Sequence, residues 1–272
     1  MLSVAKAHAF GNDFLFVPAE QVEGKALDRL SRRLCHRHTG LGGDGVIYYV
    51  IAPDGTAQMR LVNADGSPSE LSGNGLRCLA ALVLHSREQA NAAPVTQVRV
   101  STDAGWKTLA LTGRSKSRYT FRAAMGQPER IAEETIDVAG ESIRVSTLAV
   151  GNPQCVALVS ELPDEPRFYR LGPALATHPR FPEGTNVEFA MIEAPDRVRI
   201  LIWERGVGPT LASGTGACAS AVAAIAHGGA ARDVTVLAPG GSQRVEWLDD
   251  GIYLTGWAEV LLDAQWIAEM DE

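Results

Sequence analysis

Two serine-glycine segments are the parts of the sequence best suited to chemistry. Residues 72–75 read Ser-Gly-Asn-Gly, residues 213–216 read Ser-Gly-Thr-Gly, and each segment stands directly before a helical pattern. Glycine at a helix start lets the backbone approach a ligand and present free N–H groups, and the helix dipole there favours an anion. Two such starts facing each other would hold a carboxylate with one serine on either flank. The alternative is that Ser72 and Ser213 are only N-caps, a role that serine favours.

Polar residues end a strand pattern nine positions before each of these serines. Asn63 precedes Ser72 in this way, and Glu204, followed by Arg205, precedes Ser213. Arg205 could grip a carboxylate through two parallel hydrogen bonds, and Glu204 could hold an ammonium group. The alternatives are an ordinary Asn-x-Asp-Gly turn after Asn63 and an exposed ion pair between Glu204 and Arg205.

These segments belong to an internal repeat. Gly-Asn-Asp at 11–13 recurs as Gly-Asn-Pro at 151–153, and the two Ser-Gly-x-Gly segments recur at nearly the same offset and in the same order. A repeat this long indicates duplicated lobes and not a solenoid. We therefore predict two similar lobes, each with a Gly-Asn turn and a Ser-Gly-x-Gly helix start, and a roughly symmetric site between them.

Strand patterns outnumber helical patterns in the elements that must position these residues. Strands are predicted near 46–51, 57–62, 97–100, 142–150, 197–203, 234–238 and 251–262, and helices near 25–37, 73–86 and 214–227. The last helix is small and apolar on every side, which is typical of a helix buried against sheet. These patterns predict an α/β (α+β) fold with many strands around few central helices, and a lobe boundary within 112–130.

The composition excludes several classes of partner. The chain has 272 residues and a net charge of -7, which disfavours nucleic acid and anionic membranes as partners. It contains no apolar run long enough to span a membrane and too few cysteines for a disulfide scaffold, and we expect no signal peptide. Its G-x-G-x-x-G at 40–45 follows a helical segment, so a dinucleotide site is not indicated, and metal-site spacing is absent. We expect a cytoplasmic protein with a small-molecule partner and no metal or cofactor, and a homodimer stays open.

Seven segments together resemble the diaminopimelate epimerase family over nearly the whole chain. They are His8-Ala-Phe-Gly-Asn-Asp-Phe14, Gly40-Leu-Gly-Gly-Asp-Gly45, Asn63-Ala-Asp-Gly66, Leu71-Ser-Gly-Asn-Gly-Leu-Arg-Cys78, Gly151-Asn-Pro153, Phe181-Pro-Glu-Gly-Thr-Asn-Val-Glu-Phe189 and Trp203-Glu-Arg-Gly-Val-Gly-Pro-Thr-Leu-Ala-Ser-Gly-Thr-Gly-Ala-Cys218. The resemblance implies two pseudo-symmetric lobes, each a curved, mostly antiparallel sheet wrapped around a central helix, with the active site between the lobes. We place the N-terminal lobe at 1–115 plus 260–272 and the C-terminal lobe at 116–259.

The resemblance also implies a reaction and a set of site residues. Family members interconvert LL- and meso-diaminopimelate, in lysine and cell-wall precursor biosynthesis, without pyridoxal phosphate or metal. One cysteine thiolate removes the α-proton and a second cysteine reprotonates the opposite face, which requires both groups close to one carbon. By position, the α-carboxylate would be held at Gly73, Asn74, Gly214 and Thr215. The amino and distal groups would be held by the other matching positions, namely Asn12, Asn63, Asn152, Asn186, Glu204 and Arg205.

The sequence departs from the family at the two catalytic positions, where Ser72 and Ser213 replace cysteine. A thiol has a pKa of about 8.5 that falls further at a helix N-terminus, whereas a serine hydroxyl is a far weaker acid. We therefore predict impaired proton abstraction in an epimerase. An inactivated variant and a natural homologue both fit, and the homologue would either bind an amino acid without catalysis or act on another amino acid. A lesser departure is Gln154, where the family commonly has histidine.

Overall fold

The computed structural model describes residues 1–69, 72–103 and 105–267. Two compact units divide the chain: unit 1 comprises 1–123 and the segment from Gly256 onward, and unit 2 comprises 124–255. The division therefore falls inside the predicted boundary stretch 112–130. The lobe limits taken from the sequence, 115/116 and 259/260, stay a prediction. Leu71 of the fourth matching segment and residues 268–272 of the predicted N-terminal lobe lie outside the described residues.

Strands dominate the described residues, which contain seventeen strands, four α-helices and a short 3₁₀ helix at Ala19–Val22. The helices are α1 (Leu27–Cys35), α2 (Gly73–Gln89), α3 (Glu165–Ala176) and α4 (Gly214–Gly228). The strands are β1 (Leu2–Ala9), β2 (Asn12–Pro18), β3 (Gly45–Ile51), β4 (Ala57–Asn63), β5 (Pro68–Ser69), β6 (Gln97–Thr102), β7 (Gly105–Ser115), β8 (Arg118–Gly126), β9 (Glu129–Val138), β10 (Glu141–Ala149), β11 (Pro153–Leu158), β12 (Asn186–Ala194), β13 (Arg197–Glu204), β14 (Gly208–Thr210), β15 (Asp233–Ala238), β16 (Gly241–Leu248) and β17 (Gly251–Trp266).

The predicted elements are confirmed, but the prediction was incomplete. All three predicted helices and all seven predicted strands are present, as α1, α2, α4 and β3, β4, β6, β10, β13, β15 and β17. The sequence analysis missed α3 and several strands. Helix α3 carries a start signal that could have been recognised, because Asp164 caps it by accepting a hydrogen bond from the backbone N–H of Arg167 at 3.0 Å.

Unit 1 is a mostly antiparallel sheet that packs on a buried helix. Strands β1 and β2 form a hairpin, β2 runs parallel to β3, β3 is antiparallel to β4, and β4 is parallel to β6. Helix α2 contacts β1, β2, β3 and β6, and almost all of its first three turns are buried. Helix α1 packs on the other face of the sheet, with Leu30 and Leu34 in a cluster that includes Val46 and Val62. The start of α2 is thus fixed by sheet packing.

Unit 2 repeats this scheme. The β10–β11 hairpin, the parallel pair β11–β12, the antiparallel pair β12–β13 and the parallel pair β13–β15 follow in the same order. Helix α4 takes the place of α2, and its small residues are buried among Val156, Ile200 and Val236. Helix α3 takes the place of α1, on the face that carries Val187 and Phe189. The predicted fold class, with a central helix in each of two similar halves, is confirmed.

Candidate functional site

The start of α2 presents a capped helix terminus. Ser72 has an extended backbone, with φ -124° and ψ 121°, and its Oγ accepts a hydrogen bond from the N–H of Gly75 at 3.1 Å. A Cβ built on Gly73 would meet no atom of the described residues within 4 Å, so no described residue covers the backbone beside the serine. The first N–H groups of a helix have no partner within the helix. An anion can therefore approach this terminus.

Asn12 and Asn74 meet at this helix start. Asn12 follows Gly11, whose φ of 88° lets the β1–β2 hairpin turn tightly. The Asn74 side-chain amide donates to the Asn12 carbonyl at 3.1 Å, and the Asn12 amide donates to Asp44 at 2.7 Å. Buried Arg77 donates to the Asn74 carbonyl from the next turn of α2. The turn and the helix start are therefore joined by a directed chain of hydrogen bonds.

The charged residues that support this series of hydrogen bonds were not identified as site residues from the sequence. The Asp13 carboxylate accepts from Lys6 at 2.8 Å and from Arg37 at 2.9 Å, and Arg37 also contacts Asp44 at 2.8 Å. Burial alone would raise the pKa of Asp13, but the hydrogen bonds from Arg37 and Lys6 outweigh it and lower that pKa. These ion pairs hold Asp44 against the Asn12 side chain. The Gly-Asn-Asp sequence predicted a turn at this position, but only the fold brings Lys6 and Arg37 next to Asp13.

Asn63 lies at the end of β4, opposite Gly45 of β3. Its side-chain amide donates to the Ser67 hydroxyl at 3.0 Å, and its backbone N–H donates to the Ser67 carbonyl at 2.8 Å. The backbone after Asn63 therefore forms a turn, as the alternative interpretation held. Whether Asn63 also contacts a substrate stays a prediction.

The start of α4 has the same capping geometry in unit 2. Ser213 has φ -131° and ψ 132°, and its Oγ accepts from the N–H of Gly216 at 3.1 Å. Gly214 and Thr215 form the first helical positions after it. The two serines are thus N-caps, as the alternative interpretation held, and the same geometry leaves each serine oxygen at a helix terminus.

The remaining unit 2 candidates surround the ends of β11, β12 and β13. The side-chain carbonyl of Asn186 accepts from the Arg205 backbone N–H at 2.9 Å. The side-chain carbonyl of Asn152 accepts from the Gln154 side-chain amide at 2.6 Å. The Glu204 carboxylate accepts from the Thr210 hydroxyl at 3.2 Å. The Arg205 guanidinium donates to the backbone carbonyl of Glu183 at 3.0 Å. Unit 2 therefore brings Asn186 and Arg205 together, and their roles toward a substrate stay predictions.

Glu188 is a buried carboxyl within the matching segment 181–189 that was not predicted as a site residue. It has no exposed surface and lies on β12. Burial, and then repulsion from Glu204, holds the pKa of the Glu188 carboxyl well above its usual range. A Cβ built on Gly216 would lie 2.5 Å from the Glu188 Oε1, so this carboxyl reaches the first turn of α4.

Other reactive groups in the described part of the chain do not form a second centre. All four cysteines are buried and free of disulfides. Burial raises the pKa of Cys35 to about 12 and also raises the pKa values of Cys78 and Cys155. No group of three or more His, Cys, Asp or Glu side chains within the described residues could hold a metal ion. No helix in those residues is long and apolar enough to cross a membrane.

Comparison with known proteins identifies the class. A hydroxyproline epimerase from Agrobacterium vitis, solved with bound trans-4-hydroxy-L-proline, shares the fold with a TM-score of 0.66 and 16% identity, covering 97% of this chain and 90% of that one. The fold is therefore one used by amino-acid epimerases. The diaminopimelate epimerase family model matches residues 4–131 and 146–261.

Similar sequences give the same result. Diaminopimelate epimerase from Desulfitobacterium hafniense is 38% identical, covering 94% of each chain, and that from Desulforudis audaxviator is 39% identical, covering 98% of this chain and 99% of the relative. The chain belongs to the diaminopimelate epimerase family, and the resemblance recognised in the sequence is confirmed. By family it is an isomerase.

Proposed function

We propose that this protein is a diaminopimelate epimerase by descent, impaired as it stands by serine at both proton-transfer positions. Its reaction is the interconversion of LL- and meso-diaminopimelate. One observation carries the proposal: in a chain of this family, both Ser-Gly-x-Gly segments cap buried helices with the same geometry, and each serine oxygen lies 3.1 Å from a backbone N–H.

The reaction needs an acid and a base on opposite sides of one carbon. The group at one position takes the α-proton, the electron pair of the broken C–H bond is delocalised onto the α-carboxylate, and the other group donates a proton to the opposite face. No atom is gained or lost. The proposal assigns these two places to residues 72 and 213, with the substrate carboxylate at the two helix termini. Dipoles and N–H groups there stabilise the charge that builds in the transition state.

The other predicted residues are assigned to the substrate. Arg205 supplies a fixed cation for the distal carboxylate and Glu204 an anion for an ammonium group. The backbone position of Arg205 is fixed by Asn186, whose side-chain carbonyl accepts from the Arg205 N–H. The amides of Asn12 and Asn74 are held by Asp44 and Arg77, so they are oriented before a ligand arrives.

Serine weakens the proton-transfer step and not the binding site. Each Oγ accepts a helix N–H, which stabilises an anion, but a hydroxyl gives up its proton far less readily than a thiol. A second candidate function follows from this observation: a homologue that binds the amino acid without turning it over. The predicted cytoplasmic location, the absence of nucleic-acid and membrane partners and an open homodimer state remain predictions beside either function.

The decisive experiment restores both thiols. The double variant Ser72→Cys/Ser213→Cys should incorporate solvent deuterium at the α-carbon of LL-diaminopimelate and form the meso isomer, as followed by NMR and chiral chromatography. The variant Ser115→Cys, which adds a thiol at an exposed strand end, is the matched control and should behave as the parent. No exchange in the folded double variant would refute the epimerase proposal.

Calorimetry on the parent protein separates the two candidate functions. Binding of diaminopimelate without exchange, followed by exchange in the double variant, supports an impaired epimerase. Binding that is unchanged by the two substitutions, with no exchange in any variant, supports the binding protein.

A further inference from the structure

A short stretch of unit 2 holds Arg205 at three points. The backbone carbonyl of Glu183 accepts a hydrogen bond from the Arg205 guanidinium at 3.0 Å, and the side-chain carbonyl of Asn186 accepts from the Arg205 backbone N–H at 2.9 Å. Between these two residues lies Gly184, and a Cβ built on it would lie 3.0 Å from the Arg205 Cδ and 3.2 Å from its Cγ. The head, the stem and the backbone of one arginine are therefore held by residues 183–186, which we call the Arg205 seat.

Backbone hydrogen bonds hold the Arg205 seat itself in place. The Gly184 N–H donates to the carbonyl of Phe181 at 2.8 Å, and the Thr185 N–H donates to the carbonyl of Ala176, the last residue of α3, at 3.0 Å. Gly184 has a φ of 72°, which a residue with a side chain adopts only with strain. A Cβ here would also lie 3.2 Å from the Ala176 carbonyl oxygen. Because the loop is tied on this side, a side chain at 184 would push the flexible Arg205 stem away.

Unit 1 has alanine at the place that corresponds to Arg205. By the register of the two parallel strand pairs, Asn186 corresponds to Gly45. By the offset between the two serine segments, Arg205 corresponds to Ala64, whose backbone N–H donates to the carbonyl of Asp44 at 3.0 Å. A backbone N–H anchored to the loop before the strand is thus found in both units, while the seated cation is particular to unit 2.

A seated arginine is suited to recognise a carboxylate. The guanidinium forms two parallel hydrogen bonds with a carboxylate only when the two planes are aligned, and a side chain that is already held loses less freedom when a ligand binds. We propose that Gly184 is a positioning residue: because it has no side chain, the Arg205 stem lies across the seat, and the guanidinium is oriented before the distal carboxylate of the substrate arrives. This inference rests on the proposed function for the identity of that carboxylate.

The test compares two glycines of unit 2 that share a left-handed backbone. Gly184→Ala is paired with Gly140→Ala, because Gly140 has a φ of 80° in the turn between β9 and β10 and its Cβ would meet no described atom within 4 Å. Both changes impose the same backbone strain and should lower the melting temperature by a similar few degrees. Only Gly184→Ala should disturb the orientation of Arg205.

The kinetic readout uses the Ser72→Cys/Ser213→Cys protein. Gly184→Ala should raise KM for diaminopimelate by about 10-fold, as expected for a weakened charged hydrogen bond. It should change kcat by less than about twofold, because a distal contact is made equally in the ground state and the transition state. Gly140→Ala should leave both constants unchanged. When Arg205→Met is already present, Gly184→Ala should raise KM no further. An unchanged KM, or an equal increase with Arg205→Met, would overturn the proposal.

A second readout needs no substrate. The NMR signal of the Arg205 Nε–H group, assigned by its loss in Arg205→Met, should move in Gly184→Ala and stay in place in Gly140→Ala. A signal that does not move overturns the proposal whether or not the protein is an epimerase, whereas a failure of the epimerase proposal is seen in deuterium exchange. If Gly184→Ala does not fold, Gly184→Ala/Arg205→Met decides: a folded double variant supports the contact, and failure of both places the cost in the loop backbone and overturns the proposal.

Discussion

Units 1 and 2 begin their buried helices with the same serine cap but surround them with different charges. Buried Arg77 lies one turn into α2 and holds Asn74, whereas buried Glu188 lies under the first turn of α4. At the equivalent places unit 2 has Cys218 and unit 1 has Ile47. Both units therefore have the same capped helix start, while the buried side chains next to it differ in charge. In one direction of an epimerisation one group accepts a proton while the other donates one, and in the reverse direction the two groups exchange these roles.

The largest expected effect tests whether the two starts act as a pair. With thiols at both positions, removing either one by returning serine should slow epimerisation of LL-diaminopimelate by about 100-fold or more, since general acid–base catalysis contributes that much per group. The measurement is the initial rate of meso isomer formation by each single-thiol variant and by the double variant. A single-thiol protein that matches the double variant would show that the two helix starts do not share one reaction.

The next effect concerns the buried cation of unit 1. Arg77→Met leaves the Asn74 carbonyl without this donor and removes a charge that lies 5.7 Å from the Phe10 ring centre. We expect the free energy of unfolding to fall by about 3 kcal/mol. The matched change in unit 2, Cys218→Ala, removes only a sulfur and should cost about 1 kcal/mol. Urea denaturation of both variants checks this, and equal losses would contradict the contrast.

A smaller loss of stability is expected at low pH, and it should be found in unit 1. The pKa of Asp13 in the folded protein lies below its ordinary value, so its contribution is complete above that value and is lost as the pH falls. Asp13→Asn should lower stability by about 2 kcal/mol at neutral pH and flatten the loss that otherwise sets in as the pH falls below the ordinary pKa of an aspartate. Hydrogen exchange of α2 amides in this range is the measurement. The α4 amides are the internal control, because Pro153 occupies the equivalent position in unit 2.

The smallest effect should be the same in both units. Ser72→Ala and Ser213→Ala each remove one N-cap acceptor and should each lower the free energy of unfolding by about 1 kcal/mol. Aspartate at either position keeps an acceptor oxygen and should restore most of the loss. If one alanine variant proved neutral in thermal denaturation, the caps would not be equivalent.

The sequence predicted the parts of the site that depend on local chemistry. Serine and glycine before a helical pattern specify a capped helix start wherever the chain goes, and both starts were predicted correctly. Gly-Asn after a strand specifies a tight hairpin, and the glycines at 11 and 151 have the positive φ that such turns need. Helix α3 was not predicted, although Asp164 supplies an acidic N-cap directly before it. Family membership was also recognisable from seven segments of 3–16 residues, since their order and spacing are specific.

Residues whose role depends on contacts with neighbours that are distant in the sequence could not be predicted in this way. Lys6, Arg37 and Asp44 are far apart in sequence, and nothing local tells which cation meets Asp13. The sequence by itself determined where the helices begin and which residues stand at their starts, because caps and turns are interactions among neighbours. Only the tertiary structure decided that Ile47 lies under one start and Glu188 under the other, because strand register and sheet packing choose the residue beneath a helix, and burial sets whether it keeps its proton.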